Sequence, residues 1–243
     1  MTRAFCILLA GGTGSRMGGA LPKQFLPLKG VPIIIRTLRR VLECRSFAAV
    51  VVAIHPEWEE DFRALLPQYA VDESRIVVVH GGAERHDSIL NALKAARRHF
   101  DVTEADVVVV HDAVRPFVSR RVLDDSVAAA AEHGACVAAC PAVDTMLVVR
   151  DGMVVEVPKR SELYNGQAPD SARLLSLERA IESLSADERR AVTGTAQICV
   201  LKGIPVKAIK GDPDNIKITT PHDLEVGERI VESQEGNDEG AGA

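Results

Sequence analysis

Several features that would assign the chain to common functional classes are scarce in its sequence. Aromatic residues make up only 4% of the 243 residues, which disfavours the stacking surfaces that bind single-stranded nucleic acid. The formal net charge is -5, whereas a general nucleic-acid binder has a basic footprint, so we expect no nucleic-acid partner. No apolar stretch approaches the ~20 residues that a membrane span needs, so we expect no insertion into a membrane.

Cysteine is also sparse. The five cysteines are odd in number and scattered, and no C-x-x-C pair occurs, so a reducing compartment fits best. The apolar run that begins at Phe5 is short and leads into glycines, not into a cleavage site. We therefore expect a soluble, cytoplasmic protein without a signal peptide.

Short apolar runs rich in β-branched residues alternate with amphipathic segments. This alternation predicts an α/β fold, a Rossmann-like and mostly parallel sheet with helices on both faces. The predicted strands are Phe5–Leu9, Ala48–Ile54, Ile76–His80, Val107–His111 and Cys136–Cys140. The predicted helices between them are Val31–Cys44, Glu57–Leu66, Arg85–Phe100 and Ser119–His133.

The alternation stops after Pro141. Residues 142–168 read as two extended stretches around a turn at Asp151-Gly152, which predicts a β-arm that projects from the sheet. A second subunit would cover the apolar side of such an arm, so we expect a homodimer.

The part after the arm is predicted to contain further helices and one strand. The helices are Ser171–Leu184, a second helix through Ile198 and a last helix from Pro221 to about Glu232, and the strand is Val206–Ile209. Thr220 before Pro221 marks the start of the last helix. We expect a single domain over residues 1–233 and, from its composition, a disordered tail over residues 234–243.

The first predicted strand ends in the glycine-rich segment "GGTGSRMGGALPKQF", residues 11–25. In a parallel sheet, ligands bind beyond the carboxyl ends of the strands, so this loop belongs to the site. Glycines let backbone amides approach an anion, and Arg16 and Lys23 add positive charge. The loop therefore predicts a polyphosphate ligand.

Three phosphate-binding designs compete as explanations of this loop. A P-loop would end in G-K-[ST], which is missing here. A dinucleotide fingerprint needs a third glycine where Met17 stands, and an acid after the second strand, which ends in Ile54-His55. The G-x-G-x-R-M…P-K pattern of sugar and polyol nucleotidyltransferases matches as written, from Gly12 to Lys23.

Four separated motifs carry a family resemblance. They are "PKQFLPLKGVPII", "HGGAERHDSILNAL", "VVHDAVRPF" and "DNIKITTPHDL". Over residues of about 4 to 231 the chain resembles the methylerythritol-phosphate cytidylyltransferase family, which includes the ribitol-5-phosphate cytidylyltransferases. The resemblance implies an enzyme that transfers CMP from CTP to the phosphate of a small polyol phosphate and releases pyrophosphate.

The resemblance also implies roles for particular residues. Arg16, Lys23 and Lys217 would be the catalytic cations that neutralise the reacting phosphates. The nucleotide would be bound by Ala10, Gly11, Gly12, Gly14, Gly82, Arg85, Ser88 and Asp112. The acceptor would be bound by Thr145 and Arg160 on the arm, which reaches into the partner's site, together with Asp112.

Asp112 follows a strand at the ligand edge of the sheet. Because polyphosphates bind with Mg²⁺ and carboxylates are its protein ligands, we interpret Asp112 as the magnesium ligand, with Asp214 or Asn215 as a possible helper. Arg115 fits a ligand contact or a structural pairing with an acid equally well. His111 reads as a packed residue at a strand end and not as a catalyst.

The match is weaker on the acceptor side. Leu147 stands where the family commonly has a base, "APD" (residues 168–170) where it has T-P-Q, and "TGTAQ" (residues 193–197) where it has an acidic stretch. Near the base-binding glycines, Ala83 replaces the usual acid. "LYNGQ" and "LSADERR" look more like the ribitol-5-phosphate members, so both acceptors remain open, with methylerythritol phosphate placed first on prevalence.

Two functions of other classes share part of this sequence pattern. A glycosyltransferase that uses a nucleotide-sugar shares this sheet and its metal-binding acid, but it does not need Lys23 and Lys217 around a triphosphate. A non-catalytic nucleotide-binding module needs neither Lys217 nor the arm residues Thr145 and Arg160. Pyrophosphate release from CTP separates the first alternative from the cytidylyltransferase.

Overall fold

The computed structural model describes the backbone of residues 2–12 and 21–240, and the side chains as far as residue 235. In these residues the strands are β1 (Ala4–Ala10), β2 (Pro27–Leu28), β3 (Val31–Pro32), β4 (Phe47–Ile54), β5 (Ile76–His80), β6 (Val107–Asp112), β7 (Ala135–Pro141), β8 (Val148–Arg150), β9 (Met153–Glu156), β10 (Tyr164–Arg173) and β11 (Val206–Lys210). The helices are α1 (Ile33–Leu42), α2 (Glu59–Gln68), α3 (Arg85–His99), α4 (Arg120–His133), α5 (Leu174–Glu182), α6 (Ala186–Ala191), α7 (Thr195–Leu201) and α8 (Pro221–Gly240).

A seven-stranded sheet in the order β11-β7-β10-β6-β1-β4-β5 forms the centre of the described structure. Neighbouring strands in this sheet are parallel, except that β10 runs antiparallel to both β6 and β7. The predicted fold class, a mostly parallel sheet of Rossmann-like type, is confirmed.

Both faces of the sheet are packed, as the almost wholly apolar strands predict. Along β1, Cys6 and Leu8 pack in one core with α1, α2 and α4, whereas Phe5 and Ile7 pack in a second core with α3, α5 and α7. A third, smaller core joins α8 to Ile218. Because successive side chains of a strand point to opposite faces of the sheet, helices pack on both faces. The ends of the strands are the part of the sheet where a ligand can bind.

The sequence prediction placed residues 164–168 in an extended stretch of the arm, but it missed that this strand continues and joins the central sheet. A helix was expected from Ser171, but β10 continues to Arg173 and α5 begins at Leu174. Ser171 and Ala172 are buried and pair with strands on both sides, so their ladder contacts outweigh the helical pattern. The expected second helix through Ile198 is divided into α6 and α7.

The arm contains the predicted hairpin, since β8 and β9 pair antiparallel around Asp151 and Gly152, both with positive φ. At the other end, Thr220 accepts a hydrogen bond from the Asp223 amide, as expected for a helix cap. Helix α8 extends past the expected end near Glu232 to Gly240, so the described part of the predicted disordered tail is helical. Among the residues with described structure, no helix has the length and apolar character to span a membrane.

Candidate active site

The carboxyl ends of β1, β5 and β6 meet around a cavity of about 250 Å³. Its walls are Leu9, Ala10, Gly11, Gly12, Lys23, Gln24, Gly82, Ala83, Glu84, Arg85, Ser88, Asp112, Val114 and Lys217. These residues come from four segments far apart in the sequence. Every described residue that was predicted to be catalytic or to bind the nucleotide lines this cavity.

The first wall is the start of the glycine-rich loop, and it is held by a glutamine. Gln24 is buried, and its Nε2 donates to the carbonyl oxygens of Ala10 at 2.7 Å and of Gly12 at 3.0 Å. This pair of bonds fixes the direction of the loop as it leaves β1. Lys23 precedes Gln24 in a short 3-10 turn and also lines the cavity.

The second wall is the turn between β5 and α3. Ser88 Oγ accepts from the Gly82 amide at 3.0 Å and donates to the Glu84 carbonyl at 3.2 Å. A Cβ on Gly82 would lie 2.3 Å from the Cβ of Asp87, so only glycine fits there. Glycine at 82 is thus required by packing against α3, and Ser88 supports the turn as well as lining the cavity.

Asp112, at the end of β6, is surrounded by cations. Its Oδ1 lies 3.2 Å from Nη1 of Arg85, and its Oδ2 lies 3.0 Å from Nζ of Lys217 and 3.4 Å from Nε of Arg115. Burial opposes ionisation of the carboxyl, but the attraction of these three cations outweighs burial and holds the pKa of Asp112 well below its usual range. Three cations around one carboxylate leave positive charge for a polyanionic ligand.

Arg85 also faces a second carboxylate. Its Nη2 lies 3.5 Å from Oδ2 of Asp170, a buried residue on β10 whose pKa burial raises above the ordinary value. Arg85, which lines the cavity, therefore bridges Asp112 on β6 and Asp170 on β10. Asp170 was noted in the sequence only as a departure from the family pattern, and its pairing with Arg85 depends on the continuation of β10 that the prediction missed.

The two residues beside Asp112 have structural contacts. His111 is fully buried, and burial lowers its pKa to about 4, so the ring is neutral at neutral pH. Its Nε2 donates to the Arg115 carbonyl at 3.1 Å. Arg115 pairs with Asp112 and donates from Nη1 to the Asn215 carbonyl at 2.6 Å, which favours the structural interpretation of this arginine.

The acceptor residues of the arm lie outside the cavity of their own chain. Thr145 and Arg160 are exposed, and Nη1 of Arg160 donates to the Val143 carbonyl at 3.1 Å, which places Arg160 near the start of the arm. Neither lines the cavity. Gly14 and Arg16 lie outside the described residues.

A larger open groove of about 860 Å³ lies elsewhere, over the outer strand β5. Its walls include Glu59, His80, Lys94, Arg97 and Glu178, several of which are paired with each other as salt bridges. No predicted site residue lines it. Size therefore does not identify the site in this molecule, whereas the convergence of amides, cations and Asp112 does.

A magnesium ion beside Asp112 would need oxygen ligands from the chain or from its substrates. Within the described residues, no three histidine, cysteine or acidic side chains form a ready metal cluster. Mg²⁺ is commonly held by one or two carboxylates while substrate phosphates and waters complete its shell, and Asp112 facing the cavity fits that pattern. Asn215 does not fit, because it is fully buried and its Nδ2 donates to the Ala168 carbonyl.

The family model described as "IspD: 2-C-methyl-D-erythritol 4-phosphate cytidylyltransferase" matches residues 4–233. The chain belongs to this family. It is therefore a cytidylyltransferase, one of the nucleotidyltransferases. The resemblance expected from the four motifs is confirmed.

Solved structures agree with this assignment. A 2-C-methyl-D-erythritol 4-phosphate cytidylyltransferase from Francisella tularensis is 30% identical, with 92% of this chain and 97% of that chain covered and a TM-score of 0.73. The enzyme of the same name from Thermus thermophilus is 28% identical, with 95% and 98% covered and a TM-score of 0.70. A 4-diphosphocytidyl-2C-methyl-D-erythritol synthase from Anaerococcus prevotii shares the fold, with a TM-score of 0.78 at 24% identity, covering 95% of this chain and 96% of that chain.

The sequence analysis did not predict two residues whose side-chain amides hold backbone segments beside the cavity. Gln24 and Asn215 lie inside the quoted motifs, yet their side chains bind carbonyl groups distant in sequence. The sequence carries no local signal for these contacts, because Gln24 directly follows Lys23 and Asn215 directly follows Asp214 in polar stretches. Asp170 could not be placed without β10.

Proposed function

We propose that the chain transfers CMP from CTP to the phosphate of 2-C-methyl-D-erythritol 4-phosphate. An oxygen of the acceptor phosphate attacks the α-phosphorus of CTP, and the bond from that phosphorus to the oxygen bridging to the β-phosphate breaks. The products are a CDP-polyol and pyrophosphate. The observation that carries this proposal is the meeting of Gly11, Gly12, Lys23, Arg85, Asp112 and Lys217 around one cavity.

Each part of the cavity has a task in this scheme. The amides at the start of the loop after β1 bind the triphosphate, and Lys23 and Arg16 neutralise the charge that grows on the leaving pyrophosphate. Lys217 stands across the cavity, where its ammonium group would draw the α-phosphate and the incoming phosphate together. The turn at Gly82 faces the base. Catalysis then depends on alignment and charge, without a protein nucleophile.

Magnesium belongs to this proposal, with Asp112 as its protein ligand. When bound, the ion neutralises phosphate oxygens. The low pKa of Asp112 keeps the carboxylate ionised at neutral pH, and Arg85 and Lys217 orient its two oxygens.

The acceptor site is proposed to form between two copies of the chain. Thr145 and Arg160 lie on the arm and outside the cavity of their own chain. Large apolar side chains of the arm are exposed in the single chain, among them Met153 at 70% and Val143 at 79%. A homodimer in which each arm covers the partner's cavity would bury these side chains and complete the site.

A cytoplasmic location is part of the proposal. All five cysteines are free, and four of them are buried, which suits a reducing compartment.

The acceptor can be tested with a pyrophosphate-release assay. CTP and magnesium are combined with 2-C-methyl-D-erythritol 4-phosphate, D-ribitol 5-phosphate or erythritol 4-phosphate, and UTP replaces CTP as the control nucleotide. We expect the highest kcat/KM with the methylerythritol compound. A higher value with ribitol 5-phosphate would assign the second acceptor, which the changes at Leu147 and at residues 168–170 favour. No release with any acceptor would overturn the proposal.

A further inference from the structure

Lys217 lies at the end of a loop that is fastened to the base of the arm. The loop follows β11 and comprises residues 211–217. The side chain of Gln167, on β10, makes two hydrogen bonds to one residue of this loop: its Nε2 donates to the Asp212 carbonyl at 2.9 Å, and its Oε1 accepts from the Asp212 amide at 3.1 Å. One side-chain amide thus holds both backbone polar groups of Asp212, as a neighbouring strand would.

The neighbouring glycine makes this contact possible. A Cβ on Gly211 would lie 2.5 Å from Oε1 of Gln167 and 3.0 Å from Sγ of Cys140. Any other residue would have to displace the Gln167 side-chain amide or move the loop away from β7, so either way the contact with Asp212 would be disturbed. The Gly211 amide also donates to the Ala139 carbonyl at 2.9 Å, so the loop begins in close contact with the end of β7.

A second contact holds the loop nearer to Lys217. Asn215 is fully buried, and its Nδ2 donates to the Ala168 carbonyl at 2.7 Å. The Asn215 carbonyl accepts from Arg115 at 2.6 Å, and Arg115 itself contacts Asp112. Just beyond Lys217, the Ile218 amide donates to the Val114 carbonyl at 2.9 Å. The backbone that carries Lys217 is therefore held by hydrogen bonds both before it, at Asn215, and after it, at Ile218.

We propose that Gln167 and Asn215 are positioning residues for Lys217. This inference rests on the role of Lys217 given under the proposed function. A lysine side chain has a flexible four-carbon stem, so the position of its backbone determines the region that its ammonium group can reach. The two amide contacts hold that backbone so that Nζ stands 3.0 Å from Asp112. Because β10 forms the last part of the arm segment, the same contacts fix the base of the arm relative to Lys217.

Chemical labelling of lysines tests this placement without any catalytic reaction. An amine-reactive acylating reagent is applied to the full chain, and labelling rates are read by peptide mass spectrometry. Lys94 serves as the internal reference, since it is 2.9 Å from Glu182 and similarly exposed. In Gln167→Leu we expect labelling of Lys217 to rise at least about threefold, with Lys94 unchanged, because the ammonium group leaves Asp112. An unchanged Lys217 rate would overturn the inference.

Kinetics give a second readout. Because a displacement of about 1 Å can cost about 10²-fold, we expect Gln167→Leu to lower kcat by about tenfold or more, with the KM for CTP within about threefold. Gln167→Glu keeps the size and the acceptor for the Asp212 amide but loses the donor, so its loss should be intermediate. Asn91→Leu removes an amide-to-carbonyl hydrogen bond elsewhere, from Asn91 to His80, and is the matched control. Equal kcat losses in Gln167→Leu and Asn91→Leu would contradict a positioning role.

A double-mutant cycle separates this inference from the proposed function. If Gln167 acts through Lys217, adding Gln167→Leu to Lys217→Ala changes the residual rate of pyrophosphate release by less than about twofold. A further loss of about tenfold would show an independent effect and overturn the inference. A normal rate in Lys217→Ala alone would instead contradict the proposed role of Lys217, whatever the labelling of Gln167→Leu shows.

Discussion

The cavity at the strand ends and the arm hold their polar side chains in different ways. Asp112 is buried among three cations, and Gln24 fixes the loop next to it through two hydrogen bonds. On the arm, Thr145 and Arg160 are exposed, and Arg160 bonds to one carbonyl. In the described part of one chain, the cavity at the strand ends is therefore lined by paired and hydrogen-bonded side chains, whereas the arm residues proposed for the acceptor are exposed. This difference is the reason for proposing that a second copy completes the site.

The largest expected effect concerns the cations of the cavity. Removal of one group that stabilises developing charge typically costs about 10²–10³-fold, so Lys217→Ala and Lys23→Ala should each lower kcat by about that factor. Steady-state pyrophosphate release at saturating concentrations of both substrates measures kcat, and circular dichroism checks the fold. Lys94→Ala, in the groove over β5, is the control and should retain the normal rate. Near-normal rates in both cavity variants would contradict charge neutralisation.

The second largest effect is expected from the arm, because the proposed homodimer forms through it. Met153→Asp with Val154→Asp places charge on exposed apolar positions of β9, so the dimer should dissociate and kcat/KM for the acceptor should fall by about 10²-fold. Light scattering after size exclusion measures the mass. Val200→Asp changes an exposed valine outside the arm and should leave the dimer intact. A variant that stays dimeric would show that the arm is not the interface.

A smaller effect is expected from one arm cation. Loss of a charged hydrogen bond costs about 1.5 kcal/mol or more, so Arg160→Ala should raise the KM of the acceptor about tenfold and that of CTP by less than about twofold. Steady-state kinetics with each substrate varied in turn measure both constants. Arg150→Ala, near the tip of the same arm, is the matched control. An increase confined to CTP would place Arg160 at the nucleotide.

The smallest effect is on stability. His111 has a pKa of about 4 in the folded chain against 6.5 as the ordinary value, so the unfolded chain binds more protons between these pH values. The contribution of the neutral His111 to the free energy of unfolding is therefore fully present above pH 6.5 and is lost as the pH falls toward 4. The expected loss between pH 7.5 and 5.5 is about 1 kcal/mol. Urea unfolding at both pH values measures the loss. His111→Asn should show a flatter dependence between them, and an unchanged slope would assign the loss to other groups.

The fold and much of the lining of the cavity at the strand ends could be predicted because both depend on local patterns. Apolar runs marked the parallel strands, and the ligand edge of the sheet followed from the positions of their carboxyl ends. The continuation of β10 to Arg173 was missed because Gly166, Ala168 and Pro169 interrupt the alternation of apolar and polar residues, and because its pairing is decided by β6 and β7. The contacts of Gln167, Asp170 and Asn215 could not be inferred for the same reason, since each depends on that strand.

A crystal structure with CTP and Mg²⁺ tests the central claim most directly. The account predicts a triphosphate against the amides of Gly11 and Gly12, with Nζ of Lys217 within hydrogen-bonding distance of the α-phosphate and the base next to Gly82. CTP bound instead in the groove over β5, beside His80 and Lys94, with the cavity at Asp112 empty, would contradict it.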